Sequence, residues 1–149
     1  MEPHSDEYFM RMALIEAQKA AARDEVPVGV VVVADSVIIA RAHNLTETLG
    51  DPTAHAEMQA ITAATSYLGG KYLTDCTIYV TVEPCIMCAG ALAWSQVSTL
   101  VYGTTDDLKG YSTLNAQILH PRTNVRTGVL KKECSAVMKA FFKNKRIRP

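Results

Sequence analysis

Two short clusters in this 149-residue chain combine side chains able to hold a metal and move protons: His55-Ala56-Glu57 and Pro84-Cys85-Ile86-Met87-Cys88. Each falls just after a strand-like stretch, where a helical pattern begins. On a helix, Cys85 and Cys88 are three residues apart and share a face, so both sulfurs can reach one ion. The free N–H groups and positive dipole of a helix start favour the thiolate form that metal binding requires. The neutral ring of His55 would supply a third ligand. Zinc held by two thiolates and one imidazole carries no net charge, and its fourth tetrahedral position stays open to water. Glu57, two residues beyond His55, would stand beside the ion without binding it, where a carboxylate can shuttle protons.

Either cluster alone has other readings. A C-x-x-C pair also serves redox chemistry or half a structural zinc site, and H-x-E is a weaker pattern still. Their pairing on successive strand–helix junctions, with Pro84 directly before Cys85, favours a catalytic metal. A structural centre asks for a fourth Cys or His, and Cys76, His43, Cys134 and His120 stand at no spacing that offers one. Cys76 and Cys134 are expected to be buried thiols.

The elements positioning these clusters follow from periodicity. Met10, Ala13, Leu14, Ala17 and Ala21 predict an amphipathic helix from Asp6 to about Arg23. Val26–Ala34 reads as a strand apolar on both faces, central in a covered sheet. A tight turn at Asp35–Ser36 leads to a second strand, Val37–Ala42, and then to a polar loop, His43–Thr53. A helix follows from about Ala54 and closes at Gly69–Gly70. Thr77–Val82 is β-branched and aromatic, hence a strand, with Pro84 in the first turn of a helix reaching about Trp94. Val97–Tyr102 is a further strand, stopped by Gly103, and Lys131–Lys145 is a helix with Val137, Ala140 and Phe141 on one face. Residues 104–130 carry no clear period. Alternating strands and helices imply a three-layer α/β/α sandwich in one domain spanning residues 1–149.

Hydrophobic residues make up 48% and charged residues 20%, which excludes disordered and fibrous classes. The longest apolar runs, Val26–Ala34 and Ile86–Trp94, fall well short of the ~20 residues that span a bilayer. Glu2, Asp6 and Glu7 stand where a secretory leader would be basic and then apolar. The expectation is a soluble, cytoplasmic protein without a membrane partner. Net charge is zero but segregated: residues 131–149 hold seven bases and one acid, the rest eight bases and fourteen acids. A basic tail on an acidic body suits a polyanion-binding end, or simply a solvated final helix.

H-x-E followed by P-C-x-x-C is the known signature of zinc-dependent nucleobase deaminases. The chain resembles the cytidine-deaminase-like superfamily and, within it, the bacterial tRNA-specific adenosine deaminases. The resemblance rests on Glu25-Val26-Pro27-Val28-Gly29, His43-Asn44, Asp51-Pro52-Thr53-Ala54-His55-Ala56-Glu57 and Glu83-Pro84-Cys85-Ile86-Met87-Cys88-Ala89-Gly90-Ala91. It implies a five-stranded mixed sheet between helices, with one zinc per subunit on His55, Cys85 and Cys88 and with Glu57 as proton shuttle. The implied reaction is hydrolytic deamination of adenosine to inosine in the tRNA anticodon stem-loop, at the wobble position.

By the same resemblance Asn44, Val28 and the backbone near Ala56, Glu83 and Pro84 would meet the base. Thr104, Thr105, Asp106 and Lys109 would meet flanking nucleotides, and Phe142, Lys143 and Arg146 would grip the stem-loop. Thr105 and Leu108 depart from the usual Arg and Lys of enterobacterial relatives, and Tyr111–Val129 is shorter than theirs. Family members pair, so a homodimer is implied, with Trp94 and Leu92 either at its surface or in the core. The competing expectations are a free-base or nucleotide deaminase, such as a guanine or cytosine deaminase, and a non-enzymatic zinc or RNA-binding module.

Overall fold

The computed structural model describes residues 2–147; Arg148 of the basic tail lies outside them. Helix α1 (Asp6–Ala22) begins where the Ser5 hydroxyl accepts a hydrogen bond from the Tyr8 N–H at 3.1 Å, with Asp6 and Glu7 in its first turn. Strands β1 (Gly29–Ala34) and β2 (Val37–His43) form a hairpin. Its two turn residues, Asp35 and Ser36, both have positive φ, as a twist-matched two-residue turn demands. A short helix α2 (Thr46–Leu49) precedes α3 (Ala56–Leu68), which Gly69 closes in the left-handed conformation. Then follow β3 (Cys76–Val82), α4 (Ile86–Ser95), β4 (Thr99–Thr104), β5 (Asn124–Thr127) and α5 (Lys131–Ile147).

The sheet order is β2-β1-β3-β4-β5, with β1 antiparallel to both neighbours and β3, β4 and β5 parallel. Alternation along β1 divides the core in two. Val30 and Val32 pack with Ala60 and Ala64 of α3 and Leu92 of α4, while Val31 and Val33 pack with Phe9, Met10 and Leu14 of α1 and Cys134 of α5. This is the expected α/β sandwich with a five-stranded mixed sheet. Cys76 and Cys134 are buried free thiols.

Several boundaries differ from the sequence reading. The first strand begins at Gly29 because Pro27 has no N–H for a ladder and the chain turns locally, Val28 N–H to Val26 carbonyl at 2.9 Å. Pro84 precedes the cap of α4 instead of entering its first turn, since Cys85 is the N-cap. Gly103 lies inside β4, where a Cβ would strike the Cys134 sulfur and come within 2.9 Å of the Thr81 carbonyl oxygen. The glycine permits close packing of α5 and does not stop the strand. Leu92 is fully buried, whereas Trp94 is 85% exposed.

Asp6 ties the two ends of the fold together. Its carboxylate accepts from the Tyr79 hydroxyl at 2.8 Å and from Arg126 of β5 at 2.7 and 2.9 Å. The Arg126 hydrogen bonds hold its pKa below the usual carboxylate range, against the opposing effect of partial burial. Because the native value is depressed, the stabilisation is complete above the unfolded pKa of ~3.9 and disappears as pH falls through the native value. Asp6→Asn is expected to cost about 1–2 kcal/mol at pH 7, discounted for the half-exposed arginine. Thermal melts of both proteins should converge once pH falls below the depressed native value; a deficit that persists there would rule out the ion pair as its source.

Candidate active site

The chemical residues gather at one end of the sheet, where β2, β3 and β4 finish and β1 starts. This is the end at which α/β sheets with parallel strands place ligands. His55 is the N-cap of α3 and Cys85 the N-cap of α4. N-caps are ordinarily Ser, Thr, Asp or Asn, and His55 makes no capping hydrogen bond with its side chain. Its Nδ1 faces the two sulfurs, 3.7 Å from Cys85 Sγ and 3.6 Å from Cys88 Sγ. A tetrahedral zinc with Zn–S ~2.3 Å and Zn–N ~2.0 Å separates sulfur from nitrogen by about 3.5 Å. The three donor atoms lie within 4.8 Å of one another, and no fourth His, Cys, Asp or Glu among the described residues joins them.

The protonation chemistry also suits a cation. The Cys88 sulfhydryl and the N–H groups of Cys88 and Met87 lower the Cys85 pKa to about 5, against burial. Cys88 moves the other way, because its proton is held by Cys85 and its side chain is buried. The pair therefore keeps one proton between two sulfurs, and a divalent ion replaces it. Beside them Glu57 is only 4% exposed. Burial pushes its pKa up to about 7; the Cys85 thiolate adds to this, and hydrogen bonds from its own N–H and from Cys88 partly offset it. A carboxyl group near neutrality in pKa is matched to both taking and giving a proton.

These groups open into a cleft of about 790 Å³. Val28, Asn44, His55, Ala56, Glu57, Glu83, Cys85, Thr105, Asp106, Lys109, Phe142 and Arg146 all line it. Asn44 is 5% exposed; its Nδ2 reaches the Thr46 hydroxyl at 3.4 Å, while its Oδ1 is buried without a hydrogen-bond partner. An orphaned buried acceptor beside a cleft calls for a donor from a ligand. Val28 is half-buried and packs on the core as well as facing the cleft. Phe142 is exposed at the rim and does not enter the core.

Three expected residues are not in the cleft lining. Thr104 is buried in β4, Lys143 is exposed on α5 next to Phe142, and the Pro84 carbonyl accepts from the Tyr111 N–H. The Glu83 carboxylate is committed internally, accepting from the N–H groups of Asp106 at 3.0 Å and Ser112 at 2.9 Å. Asp106 in turn accepts from the N–H groups of Leu108 and Lys109, closing its own loop. Val26, Thr46, Asp107, Leu108, Met138 and Lys139 also line the cleft, unanticipated as site residues. Met138, Phe142 and Arg146 recur every four residues on α5, a spacing visible in the sequence.

A family model described as the cytidine and deoxycytidylate deaminase zinc-binding region matches residues 3–104. The tRNA-specific adenosine deaminase of Bacillus subtilis is 44% identical, over 95% of this chain and 91% of its own length. The chain belongs to this deaminase family, among its tRNA-specific adenosine deaminases. The chloroplastic tRNA(adenine(34)) deaminase of Arabidopsis thaliana is also 44% identical over 92% of this chain, which spans 12% of that longer protein. A solved structure from work on A-to-I editing by tRNA:A34 deaminases superposes with a TM-score of 0.80 at 38% identity, covering 87% of this chain and 98% of that one. The zinc-binding character of the deaminase family agrees with the His55–Cys85–Cys88 geometry. Cys85→Ala should lose bound metal, with affinity falling at least ~100-fold by elemental analysis after dialysis against a chelator; undiminished metal in that variant would place the ion elsewhere.

Proposed function

We propose that the chain is a zinc-dependent aminohydrolase that converts adenosine to inosine in tRNA, at the wobble position of the anticodon stem-loop. The observation that carries this reading is the buried Glu57 carboxyl beside the His55–Cys85–Cys88 group at the floor of an open cleft. His55, Cys85 and Cys88 would hold one zinc per subunit, which would supply the Lewis acidity that makes water a nucleophile at neutral pH. As water oxygen bonds to C6, Glu57 would take one proton from the water and pass it to adenine N1; it would then take the second from the new C6 hydroxyl and pass it to the amine as the C6–N bond breaks, so that ammonia leaves and inosine remains. Asn44 offers its unpaired Oδ1 to a donor on the base or its ribose, and Val28 packs on the ring. The backbone of Ala56 and of Glu83 borders the reacting edge.

At the outer end Thr105, Asp106 and Lys109 meet flanking nucleotides, while Phe142 and Arg146 on α5 face the stem-loop, with Lys143 adding charge beside them. Thr104 supports this loop from within β4. Among the described residues, no helix is long and apolar enough to cross a membrane; a tRNA substrate supports a cytoplasmic enzyme. Two copies pair through α4, on which Trp94 and Ile86 are exposed.

Inosine formation in an anticodon stem-loop, followed by mass analysis, tests the reading directly; turnover confined to guanine or cytosine overturns it. Raising salt should weaken stem-loop binding steeply through counterion release, while a neutral free base would hardly respond. Glu57→Ala should keep its fold and metal yet lose ~10²–10⁴-fold in kcat. Retained turnover would remove Glu57 from the chemistry.

A further inference from the structure

Glu25 is fully buried, is charged, and belongs to neither the metal group nor the cleft lining. Its carboxylate accepts from the Glu47 N–H at 3.0 Å and from both the N–H and the hydroxyl of Thr48 at 2.6 Å. Burial alone would raise its pKa, but hydrogen bonds from Thr48, Glu47 and Thr46 together outweigh this and hold it low. The near end of the segment is tied by backbone bonds, Asn44 N–H to the Val28 carbonyl at 3.2 Å and Leu45 N–H to the Ala54 carbonyl at 3.0 Å, whereas at residues 47 and 48 it is Glu25 that anchors it to the body. Helix α2 is four residues long, contains no buried residue, and receives no capping bond from the side chain of Leu45. Glu47, Thr48, Leu49 and Gly50 are all exposed. Hydrophobic packing therefore cannot fix this segment, and the buried carboxylate does so instead.

What the segment carries is one wall of the cleft. Asn44, with its unpaired buried Oδ1, and Thr46, whose hydroxyl faces the Asn44 amide, both line the cleft and lie within four residues of Thr48. On its other side Glu25 adjoins Val26 and is followed by Val28, which line the same cleft. We propose that Glu25 is a positioning residue that clamps the 44–48 wall against the Val26–Val28 segment, presetting Asn44 and Thr46 for the substrate. A carboxylate suits the site because the Glu47 and Thr48 N–H groups, one on each oxygen, can only donate; the amide nitrogen of a glutamine would set an N–H group against one of them.

This inference deepens the functional reading above and rests on it for the choice of first substrate. Glu25→Gln should raise KM about tenfold, as when the competent wall is populated about a tenth of the time, with kcat changed by less than about threefold. Thr48→Val, an exposed substitution that removes one donor, should shift KM in the same direction by about threefold. Zinc content should match the wild type in both variants. In Glu25→Gln, amide exchange should accelerate across residues 45–51 and stay slow in α3 and α4. Unchanged KM together with unchanged exchange in folded variants overturns the proposal, as does a fall confined to kcat. Kinetics are read on whichever nucleobase substrate the wild type turns over. A wild type inactive on the stem-loop therefore removes the functional reading alone, and the exchange measurement decides the clamp without any turnover.

Discussion

Two sulfurs and a ring nitrogen within 4.8 Å of one another, largely out of water, set the terms for the rest of this molecule. A second thiolate cannot form beside the first unless a cation replaces the shared proton, and a helix N-terminus lowers the cost by directing N–H groups at the sulfur. The fold must therefore start α3 and α4 side by side at the same depth. It does so by ending β2 and β3 at one edge of the sheet, on either side of the antiparallel β1. The arrangement sacrifices local stability: His55 stands where a capping side chain would contribute about 1 kcal/mol. Departures of this kind from local preference are expected where chemistry, and not folding, selects the residue.

The same consideration explains what could be read from the residues alone. Elements that bury an apolar face announce themselves, so α1, the β1–β2 hairpin and β3 were legible in outline, and the two clusters were legible because metal chemistry restricts residue type and spacing. Strand β5 was not, because all four of its residues are exposed at the sheet edge and it is held by backbone pairing to β4 and by Arg126 reaching Asp6, 120 positions away. Helix α2 lacked a signal for a related reason, having no buried face. Gly103 was misread because a glycine that stops a strand and one that admits a neighbouring helix look alike until Cys134 is seen across from it.

Glu25 and Glu83 show how a cleft can have defined walls made of polar, exposed chain. Each carboxylate is buried and gathers N–H groups from a loop on its own side: Glu25 from residues 47 and 48, Glu83 from residues 106 and 112. A charged acceptor makes stronger hydrogen bonds than a neutral one, and removing it would strand buried donors. Gly110 fits this scheme, since a Cβ there would collide with the Glu83 carboxylate. Because the partners are backbone groups, no pairing of residue types in the sequence points to either clamp. This is why Glu83 could be anticipated at the site and yet not in the role its side chain performs.

The two ends of the cleft differ in kind. The inner end is buried and rich in committed hydrogen bonds; the outer end carries Leu108, 88% exposed, together with Lys109, Lys139 and Arg146. For a nucleic-acid substrate this division separates two tasks that would otherwise compete. Phosphate contacts at an exposed rim supply affinity and orientation in a salt-dependent way, while the base has to leave its stack to reach a carboxyl as deep as Glu57. Residues 131–149, which include α5, carry seven bases and one acid, against eight bases and fourteen acids in the rest of the chain. Sequence change at the rim can then alter which RNA is held without disturbing the protonation balance among Cys85, Cys88 and Glu57. Thr105 and Leu108, the two positions expected to depart from the enterobacterial pattern, both line the cleft, and neither belongs to the His55–Cys85–Cys88 group.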